Sequence, residues 1–236
     1  MKKAKAKPAP KVKPKAAKKP DASEKMVIEG RSPPRGGRFS YVGSGMQIWA
    51  GLGNPGTQYA LHRHNVGFMA ADILAEVHGF GPWQKKFRSQ VSEGRIGRHR
   101  ILLLKPQTYM NDSGDAVQQA FKFYKLDLDA LTVFHDELDL AAFKIKVKQG
   151  GGTAGHNGLR AIDAIFGPDF RRVRIGIGHP GHKDRVTRYV LGNYAKAEIE
   201  PLSDLLGAIA AEAEWLADGD EVRFMSEVAR RMHDED

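Results

Sequence analysis

Apolar residues recur at helical spacing in several stretches of the chain. The first stretch runs from Val66 to Val77 and ends before Gly79, which predicts a helix with one buried face. A second amphipathic helix is predicted after the loop at residues 105–114. Its shared apolar face consists of Val117, Ala120, Phe121 and Tyr124. Further helices are predicted from Leu159 to Phe166, from about Lys196 to Leu216, and from there to about Met232.

Short apolar or alternating runs between turn residues predict strands. They cover residues 47–52, 90–96, 100–104, 131–134, 143–147 and 171–177. Gly97-Arg98-His99 separates the second run from the third and has the length of a hairpin loop. The 143–147 run alternates with lysines, which indicates a strand with one solvated cationic face. This order of elements predicts an α/β fold: a single domain with a twisted mixed β-sheet flanked by helices.

Charge is unevenly distributed along the chain. Residues 1–45 hold 13 Lys and Arg against 3 Asp and Glu, a formal charge of +10, whereas all 236 residues carry +9. Residues 46–236 are therefore almost neutral, and the high isoelectric point reflects the N-terminal segment. The Lys/Ala/Pro composition of residues 1–20 repels itself and breaks helices. We therefore predict a disordered basic extension over residues 1–45 and a folded domain over residues 46–236.

Met46 opens the first strand directly, which is compatible with an appended extension or with a mis-assigned start. An organelle transit peptide fits less well, because such peptides favour Arg and Ser over this Lys-Pro pattern. The N-terminus lacks the apolar core of a signal peptide, and no apolar run approaches the roughly 20 residues of a membrane span. The chain has no cysteine, which excludes disulfides, thiolate metal sites and cysteine nucleophiles.

The first predicted strand ends in a tight turn, because Gly53-Asn54-Pro55-Gly56 places a proline next to two glycines. Tyr59, His62, His64 and Asn65 follow before the first helix. Polar residues crowded between a strand and a helix are typical of a functional site. Taken singly, they have plainer interpretations: Asn54 as a turn former, Asn65 as a helix N-cap, and the histidines as surface residues.

Later loops add a carboxylate and further amides, each next to a Met or a His: Asn111, Asp136 and Asn157. With His64 as a base and no serine or threonine in a nucleophile elbow, the nucleophile is predicted to be water. The histidine spacings lack an HExxH or HxH pattern, so metal binding ranks low.

The glycine-rich loop at residues 150–158 leads into the helix predicted from Leu159. Such a loop offers bare backbone N–H groups at a helix N-terminus, which attract anions. It is not a P-loop, because no Gly-Lys-Ser/Thr sequence follows. The strand at 131–134 runs straight into His135-Asp136-Glu137, and α/β proteins place their chemistry at the carboxyl ends of strands.

Five long motifs lie along the folded part of the chain: GLGNPG with Tyr59 and RHN, KPQTYMN with SG, HDELDL, GGGTAGHNGL and RRVRIGIGHPG. In this order and spacing they resemble the bacterial-type peptidyl-tRNA hydrolase family. The resemblance covers about residues 46–236 and omits the N-terminal segment. It implies hydrolysis of the ester between a peptide and the 3′ end of its tRNA, by general-base activation of water.

The resemblance assigns roles to matching residues. His64 is implied as the general base that draws a proton from water as it attacks the ester carbonyl. Asp136 is implied as the carboxylate that steadies this histidine and favours its imidazolium form. Asn111 and Asn157 are implied as the amides that hold the substrate and the developing oxyanion. Asn54 is implied to recognise the peptide part and to distinguish it from a free aminoacyl group.

Other residues are implied in substrate binding. Tyr59 and Tyr109 would line the site, and Met110 would form its apolar wall. Since an acceptor stem brings phosphates, cations close in sequence to the site loops are candidates for contacting them. These candidates are Lys148, Arg174 and Lys183. A solvated face is the alternative, and for Lys148 it is nearly as well supported. Five more basic residues are interpreted mainly as structural or supporting: Lys105, His62, His135, His156 and His179.

Two other functions remain open at this point. A non-catalytic RNA-binding factor on the same fold would have lost the base, yet His64, Asp136 and Asn111 are all present. A generic esterase would need an acyl pocket and would not depend on tRNA. The resemblance also implies a cytoplasmic, monomeric enzyme without cofactor or metal. Its implied partner is the acceptor stem and 3′ end of peptidyl-tRNA, with no membrane involved.

Overall fold

The computed structural model describes residues 45–233. The segment predicted to be disordered therefore lies outside the described residues, apart from Gly45. Seven strands are present in this part of the chain: β1 Met46–Gly51, β2 Gln84–Lys86, β3 Ser89–Ile96, β4 His99–Pro106, β5 Leu131–Glu137, β6 Ile145–Gln149 and β7 Arg171–Gly176. The helices are α1 Val66–Val77, α2 Ser113–Tyr124, α3 Asn157–Phe166, α4 Val186–Val190, α5 Ile199–Ala211, α6 Ala213–Asp218 and α7 Glu221–Arg231.

The strands form one sheet in the order β2-β3-β4-β1-β5-β7-β6. Its four central strands, β4, β1, β5 and β7, are parallel, whereas β2, β3 and β6 pair antiparallel with their neighbours. Parallel strands buried on both faces read as nearly continuous apolar runs, and every residue of β1 is buried. The predicted single α/β domain with a mixed sheet is confirmed.

Two apolar layers cover the two faces of the sheet. One contains Trp49 of β1 with the inner faces of α1 and α5. The other contains Ile48 and Ala50 of β1 with the inner faces of α2 and α3. Neighbouring residues of one strand point to opposite faces, so β1 supplies side chains to both layers.

Helix α1 packs unusually close to the sheet. A Cβ on Gly67 would lie 2.3 Å from the carbonyl oxygen of Phe134 and 2.4 Å from the amide nitrogen of Leu52. Only glycine allows this approach, since both neighbours are backbone atoms. The first turn of α1 is therefore pressed against the carboxyl ends of β1 and β5, next to Asp136.

Some predicted boundaries were wrong. Strand β6 begins at Ile145 rather than Phe143, because Phe143 has a left-handed φ of 63° that is incompatible with a strand. The helix predicted from Lys196 to Leu216 is divided between α5 and α6 at Glu212. Strand β2 and helix α4 were not predicted. No helix within residues 45–233 combines the length and apolar character that crossing a membrane requires.

Candidate active site

The predicted site residues gather at the carboxyl edge of the parallel strands. After β1 the chain enters α1 on one face of the sheet, whereas after β5 it passes through β6 to α3 on the other face. Connections that diverge to opposite faces open a crevice between their two strands. Asn54 follows β1, and Asp136 lies near the end of β5, so both border this crevice.

His64 and Asp136 are in direct contact, as predicted. His64 lies in the 3₁₀ turn Arg63–Asn65 that precedes α1. Its Nδ1 lies 2.8 Å from Oδ1 of Asp136, and both residues are buried. An ionised carboxylate only accepts hydrogen bonds, so Nδ1 carries the proton and Nε2 carries the lone pair of the neutral ring. Burial alone would lower the pKa of His64, but the charge of Asp136 and the hydrogen bond to it raise the pKa above its ordinary value.

A second histidine shares the same carboxylate oxygen. Nε2 of His156 lies 3.0 Å from Oδ1 of Asp136. Nδ1 of His156 accepts the backbone N–H groups of Gly158 and Leu159 at 3.1 and 3.3 Å, which caps helix α3. Since Nδ1 must be the acceptor, the neutral ring carries its proton on Nε2 and donates it to Asp136. The expectation of bare N–H groups at the start of this helix is therefore wrong for Gly158 and Leu159.

The two donors keep Asp136 ionised. Burial would raise the pKa of this carboxyl, but His64 and His156 lower it well below its ordinary value. The neighbouring His135 behaves differently: burial, with His156 beside it, lowers its pKa to about 3. His135 is thus neutral at physiological pH, and its Nδ1 donates to the backbone oxygen of Asp136 at 2.7 Å. This contact with the backbone of β5 agrees with the interpretation of His135 as a supporting residue.

Among the described residues, one cluster has the composition of a metal site: His64, Asp136 and His156. Its ligand atoms all lie within 4.8 Å of one another. A neutral imidazole has only one lone pair, and that of His156 already accepts two backbone N–H groups. Coordination through Nε2 of His156 would break both bonds and uncap α3, so the donor set fits a proton-sharing cluster better than a metal.

Asn54 is tied to two other parts of the site. The side chain of Asn65 accepts from the backbone nitrogen of Asn54 and donates to its backbone oxygen, both at 2.9 Å. The side-chain oxygen of Asn54 in turn accepts the backbone N–H of Met110 at 3.1 Å. Asn65 occupies the N-cap position of α1, as its plainer interpretation held, but its side chain makes no capping hydrogen bond. It instead fixes the turn that carries Asn54.

The KPQTYMN loop reaches the same edge of the sheet. Met110 is buried, and its sulfur lies near Gly158, where an added Cβ would approach it to 2.5 Å. Tyr109 is 67% exposed. Asn111 is also exposed, with Nδ2 donating to Asp112 at 3.0 Å, and Asn157 lies exposed at the first position of α3. The loop therefore presents one buried wall and polar or aromatic groups toward solvent.

Tyr59 contacts His62. Its ring is half-buried and meets the ring of His62 edge to face, with centroids 5.2 Å apart. Burial lowers the pKa of His62, and His64 adds to this effect. His62 therefore lies two residues from His64 but has its pKa shifted in the opposite direction, which makes it a suitable control for His64.

The predicted phosphate-binding cations occupy two places. Lys148 and Arg174 line one small cavity beside the glycine-rich loop. Nε of Arg174 donates to the buried Glu137 at 2.8 Å, and the Arg174 side chain is 20% exposed. Lys183 is exposed in the 3₁₀ turn before α4. Lys105 is buried, pairs with Asp72 and sits over the Trp83 ring, in keeping with a structural interpretation.

Sequence reasoning underrated three residues beside the base: Arg63, Asn65 and His156. Their partners lie far away along the chain, at Asn193 and Glu198 for Arg63, Asn54 for Asn65 and Asp136 for His156. The only clue in the sequence was that each adjoins a predicted site residue.

The class of protein follows from this arrangement. A histidine oriented by a buried carboxylate can take a proton from water, and this arrangement, in an α/β fold, is compatible with a hydrolytic enzyme. The chain belongs to the peptidyl-tRNA hydrolase family, whose model matches residues 48–235.

Relatives agree with this family. The peptidyl-tRNA hydrolase of Rhizorhabdus wittichii is 67% identical over 189 residues, which is 80% of this chain and 100% of the relative. The peptidyl-tRNA hydrolase of Novosphingobium aromaticivorans is 70% identical over 186 residues, which is 79% of this chain and 97% of the relative. The crystal structure of peptidyl-tRNA hydrolase from Acinetobacter baumannii superposes with a TM-score of 0.73 at 40% identity, covering 78% of this chain and 95% of that one. The predicted family is confirmed.

Proposed function

We propose that this chain hydrolyses the ester between the peptide and the 3′ oxygen of tRNA in peptidyl-tRNA, with water as the nucleophile. The observation that carries this proposal is the 2.8 Å contact between Nδ1 of His64 and Asp136. It leaves Nε2 of His64 as the one nitrogen of that ring able to accept a proton. Membership of the peptidyl-tRNA hydrolase family supports the choice of substrate.

In this mechanism, Nε2 of His64 removes a proton from water as the water oxygen attacks the ester carbonyl carbon. The imidazolium that forms is stabilised by the adjacent charge of Asp136. It then returns the proton to the departing 3′ oxygen of the tRNA. A well-placed general base contributes roughly 10² to 10⁴ in rate.

Amide side chains would stabilise the negative oxygen of the tetrahedral intermediate. Asn111 and Asn157 are both exposed on loops at this edge. One hydrogen of the Asn111 amide is engaged by Asp112, which leaves the other free to donate. Each such donor would contribute about 10² to 10³ in turnover.

Asn54 would recognise the peptide through its amide nitrogen. Its oxygen accepts from Met110, whereas Nδ2 makes no hydrogen bond among the described contacts and lies on a part-buried residue. A donor in this position suits a peptide carbonyl oxygen, which a free aminoacyl group lacks. Tyr59, Tyr109 and Met110 would surround the esterified residue.

The acceptor stem would lie across three cations, of which Lys148 and Lys183 are exposed and Arg174 is partly buried. Lys148 and Arg174 share one cavity, and Lys183 stands at the start of the α4 segment. Ionic contacts of this kind position a nucleic acid without reading its sequence.

We further propose that the enzyme works as a cytoplasmic monomer and needs neither metal nor cofactor.

The test compares three substrates with one enzyme preparation: an N-acetylated aminoacyl-tRNA, the same aminoacyl-tRNA with a free amino group, and a p-nitrophenyl ester. Rapid cleavage of the blocked tRNA alone is expected. Equal cleavage of the p-nitrophenyl ester would favour a generic esterase. Binding of the blocked tRNA without cleavage would favour a non-catalytic RNA-binding factor.

A further inference from the structure

Arg63, which directly precedes His64, is a buried cation. Its side chain is only 10% exposed. Nη2 contacts both carboxylate oxygens of Glu198 at 2.9 and 2.6 Å, and Nη1 donates to the backbone oxygen of Asn193 at 2.6 Å. The guanidinium also lies over the rings of Tyr189 and Tyr194, 4.4 and 5.1 Å from their centroids. A planar fork with five donors can make all these contacts at once, whereas a lysine cannot.

These contacts hold the turn that carries His64 against a distant segment, residues 189–198. Two backbone hydrogen bonds run alongside them: Arg63 donates to Gly192 at 3.0 Å, and Tyr194 donates to Leu61 at 3.1 Å. Tyr189 extends the connection to the end of β7, since its hydroxyl donates to the backbone oxygen of Ile177. Arg63 thus links the turn to the strand next to β5, which carries Asp136.

The three consecutive residues of the turn have three separate anchors. Asn65 is fixed to the backbone of Asn54, His64 contacts Asp136, and Arg63 is fixed to the 189–198 segment. Short turns have few internal hydrogen bonds, so their side-chain contacts determine where the backbone lies. When the Arg63 side chain is changed, the backbone hydrogen bonds to Gly192 and from Tyr194 remain. Among the side chains next to His64, only that of Asn65 would then still anchor the turn.

We propose that Arg63 is a positioning residue for the reaction: through Glu198, Asn193, Tyr189 and Tyr194 it holds the His64 turn so that the imidazole meets both Asp136 and the attacking water. The inference rests on the proposed function for its kinetic part. Its geometric part concerns only the alignment of His64 with Asp136.

A role limited to stability is the alternative. Breaking a buried ion pair destabilises a protein whatever its position, because one charge is left without a partner. Two measurements separate the alternatives: the division of the kinetic effect between kcat and KM, and the pKa of His64 measured by NMR on its ring protons. Three titratable groups interact with this ring directly: Asp136, His156 and His62. Arg63 and Tyr194 interact with each other, and Tyr194 also senses the charge of Asp136.

The variants are Arg63→Lys, which keeps the charge but loses the fork, and Glu198→Gln, which leaves the Asn193 contact in place. We expect kcat on N-acetylated aminoacyl-tRNA to fall about tenfold to a hundredfold in Arg63→Lys, because misplacement by about 1 Å costs that much. KM should change less than about threefold, since Arg63 touches no substrate. The pKa of His64 should fall, and Glu198→Gln should show smaller changes in the same directions.

Arg231→Lys is the control for the loss of an arginine–carboxylate pair away from the site, because Arg231 also pairs with a buried carboxylate, Glu212, although Arg231 itself is 43% exposed. It should lower the midpoint of thermal unfolding without changing kcat per folded molecule or the pKa of His64. An unmoved His64 titration in folded Arg63→Lys and Glu198→Gln would overturn the proposal, even if kcat fell with the folded fraction. If the unaltered chain failed to cleave the blocked tRNA, the proposed function would fail, whereas the NMR titration would still decide the role of Arg63.

Discussion

At the scale of single residues, the site is governed by which ring nitrogen carries a proton. His64 and His156 both donate to one oxygen of Asp136, but through different nitrogens. His156 uses its remaining nitrogen to cap α3, whereas the remaining nitrogen of His64 is the one that we propose to act in the reaction. The same carboxylate therefore orients a base and anchors a helix.

Removing the charge of Asp136 should weaken the base. In Asp136→Asn, the pKa of His64 should fall, since the neighbouring carboxylate raises it. The unprotonated base would then persist to lower pH, so the acid limb of the kcat/KM profile should move downward while turnover decreases. The profile is measured with N-acetylated aminoacyl-tRNA, and an acid limb that stays in place would show that Asp136 does not act through His64.

Asn54 can be tested with a substitution that preserves its structural contact. Asn54→Asp retains an oxygen for the N–H of Met110 but loses the amide donor proposed for the peptide carbonyl. We expect the preference for N-acetylated over free aminoacyl-tRNA to decrease. The preference is measured as the ratio of the kcat/KM values for the two substrates. An equal loss on both substrates would assign Asn54 to catalysis or to structure instead.

At the scale of elements, the position of the base depends on how closely α1 packs on the sheet. Glycine at position 67 brings the first turn of α1 onto the backbone of Leu52 and Phe134. Because the turn with His64 directly precedes this helix, any outward shift of α1 would move the base away from Asp136.

Gly67→Ala should therefore destabilise the fold by about 3 kcal/mol, as expected for a methyl group forced into packed backbone. Gly207→Ala in α5 is the control, since an added Cβ there meets no atom within 4 Å. It should stabilise the protein by about 0.5 to 1 kcal/mol, because alanine loses less entropy in a helix. Urea unfolding measures the free energy of unfolding of both variants. Similar changes in Gly67→Ala and Gly207→Ala would contradict the packing argument.

Elements with a clear pattern were predictable, and those set by tertiary contacts were not. Helix α1 has the predicted bounds, because its apolar residues follow one helical face without interruption. Strand β2, Gln84–Lys86, is entirely exposed and has no apolar residue, so only its pairing with β3 creates it. The break at Glu212 is equally hidden, since the apolar pattern continues from α5 into α6.

The site shows the same division. The strand order that places the ends of β1 and β5 side by side was not predicted, but His64 and Asp136 could be paired because their motifs resemble those of the family. The links of Arg63 to Glu198 and of Asn65 to Asn54 could not, since neither pattern nor composition encodes contacts between loops. The tautomer of His156 likewise follows only from its backbone partners.

At the scale of the whole molecule, the net positive charge is concentrated in the N-terminal part of the sequence, where no proposed site residue lies. Residues 1–45 carry a formal +10, whereas the remainder of the chain is nearly neutral. A polycation adjoining a tRNA-binding domain should add electrostatic attraction through release of counterions, without touching the reacting groups.

Deleting residues 1–45 should therefore leave kcat unchanged, because every proposed site residue lies beyond them. KM should rise at low salt, and the difference should vanish as ionic strength increases and screens the charges. Steady-state kinetics over a salt series measures this. Equal KM values at low salt would mean that the segment has no role in binding tRNA.

The central claim, that Nε2 of His64 activates water, is tested most directly by single-turnover cleavage of N-acetylated aminoacyl-tRNA with His64→Ala. His62→Ala is the control from the same turn. We predict that His64→Ala loses about 10² to 10⁴ in the cleavage rate while still binding tRNA, and that His62→Ala changes little. A His64→Ala variant that keeps more than about a tenth of the normal rate, far above that range, would contradict the assignment of the base.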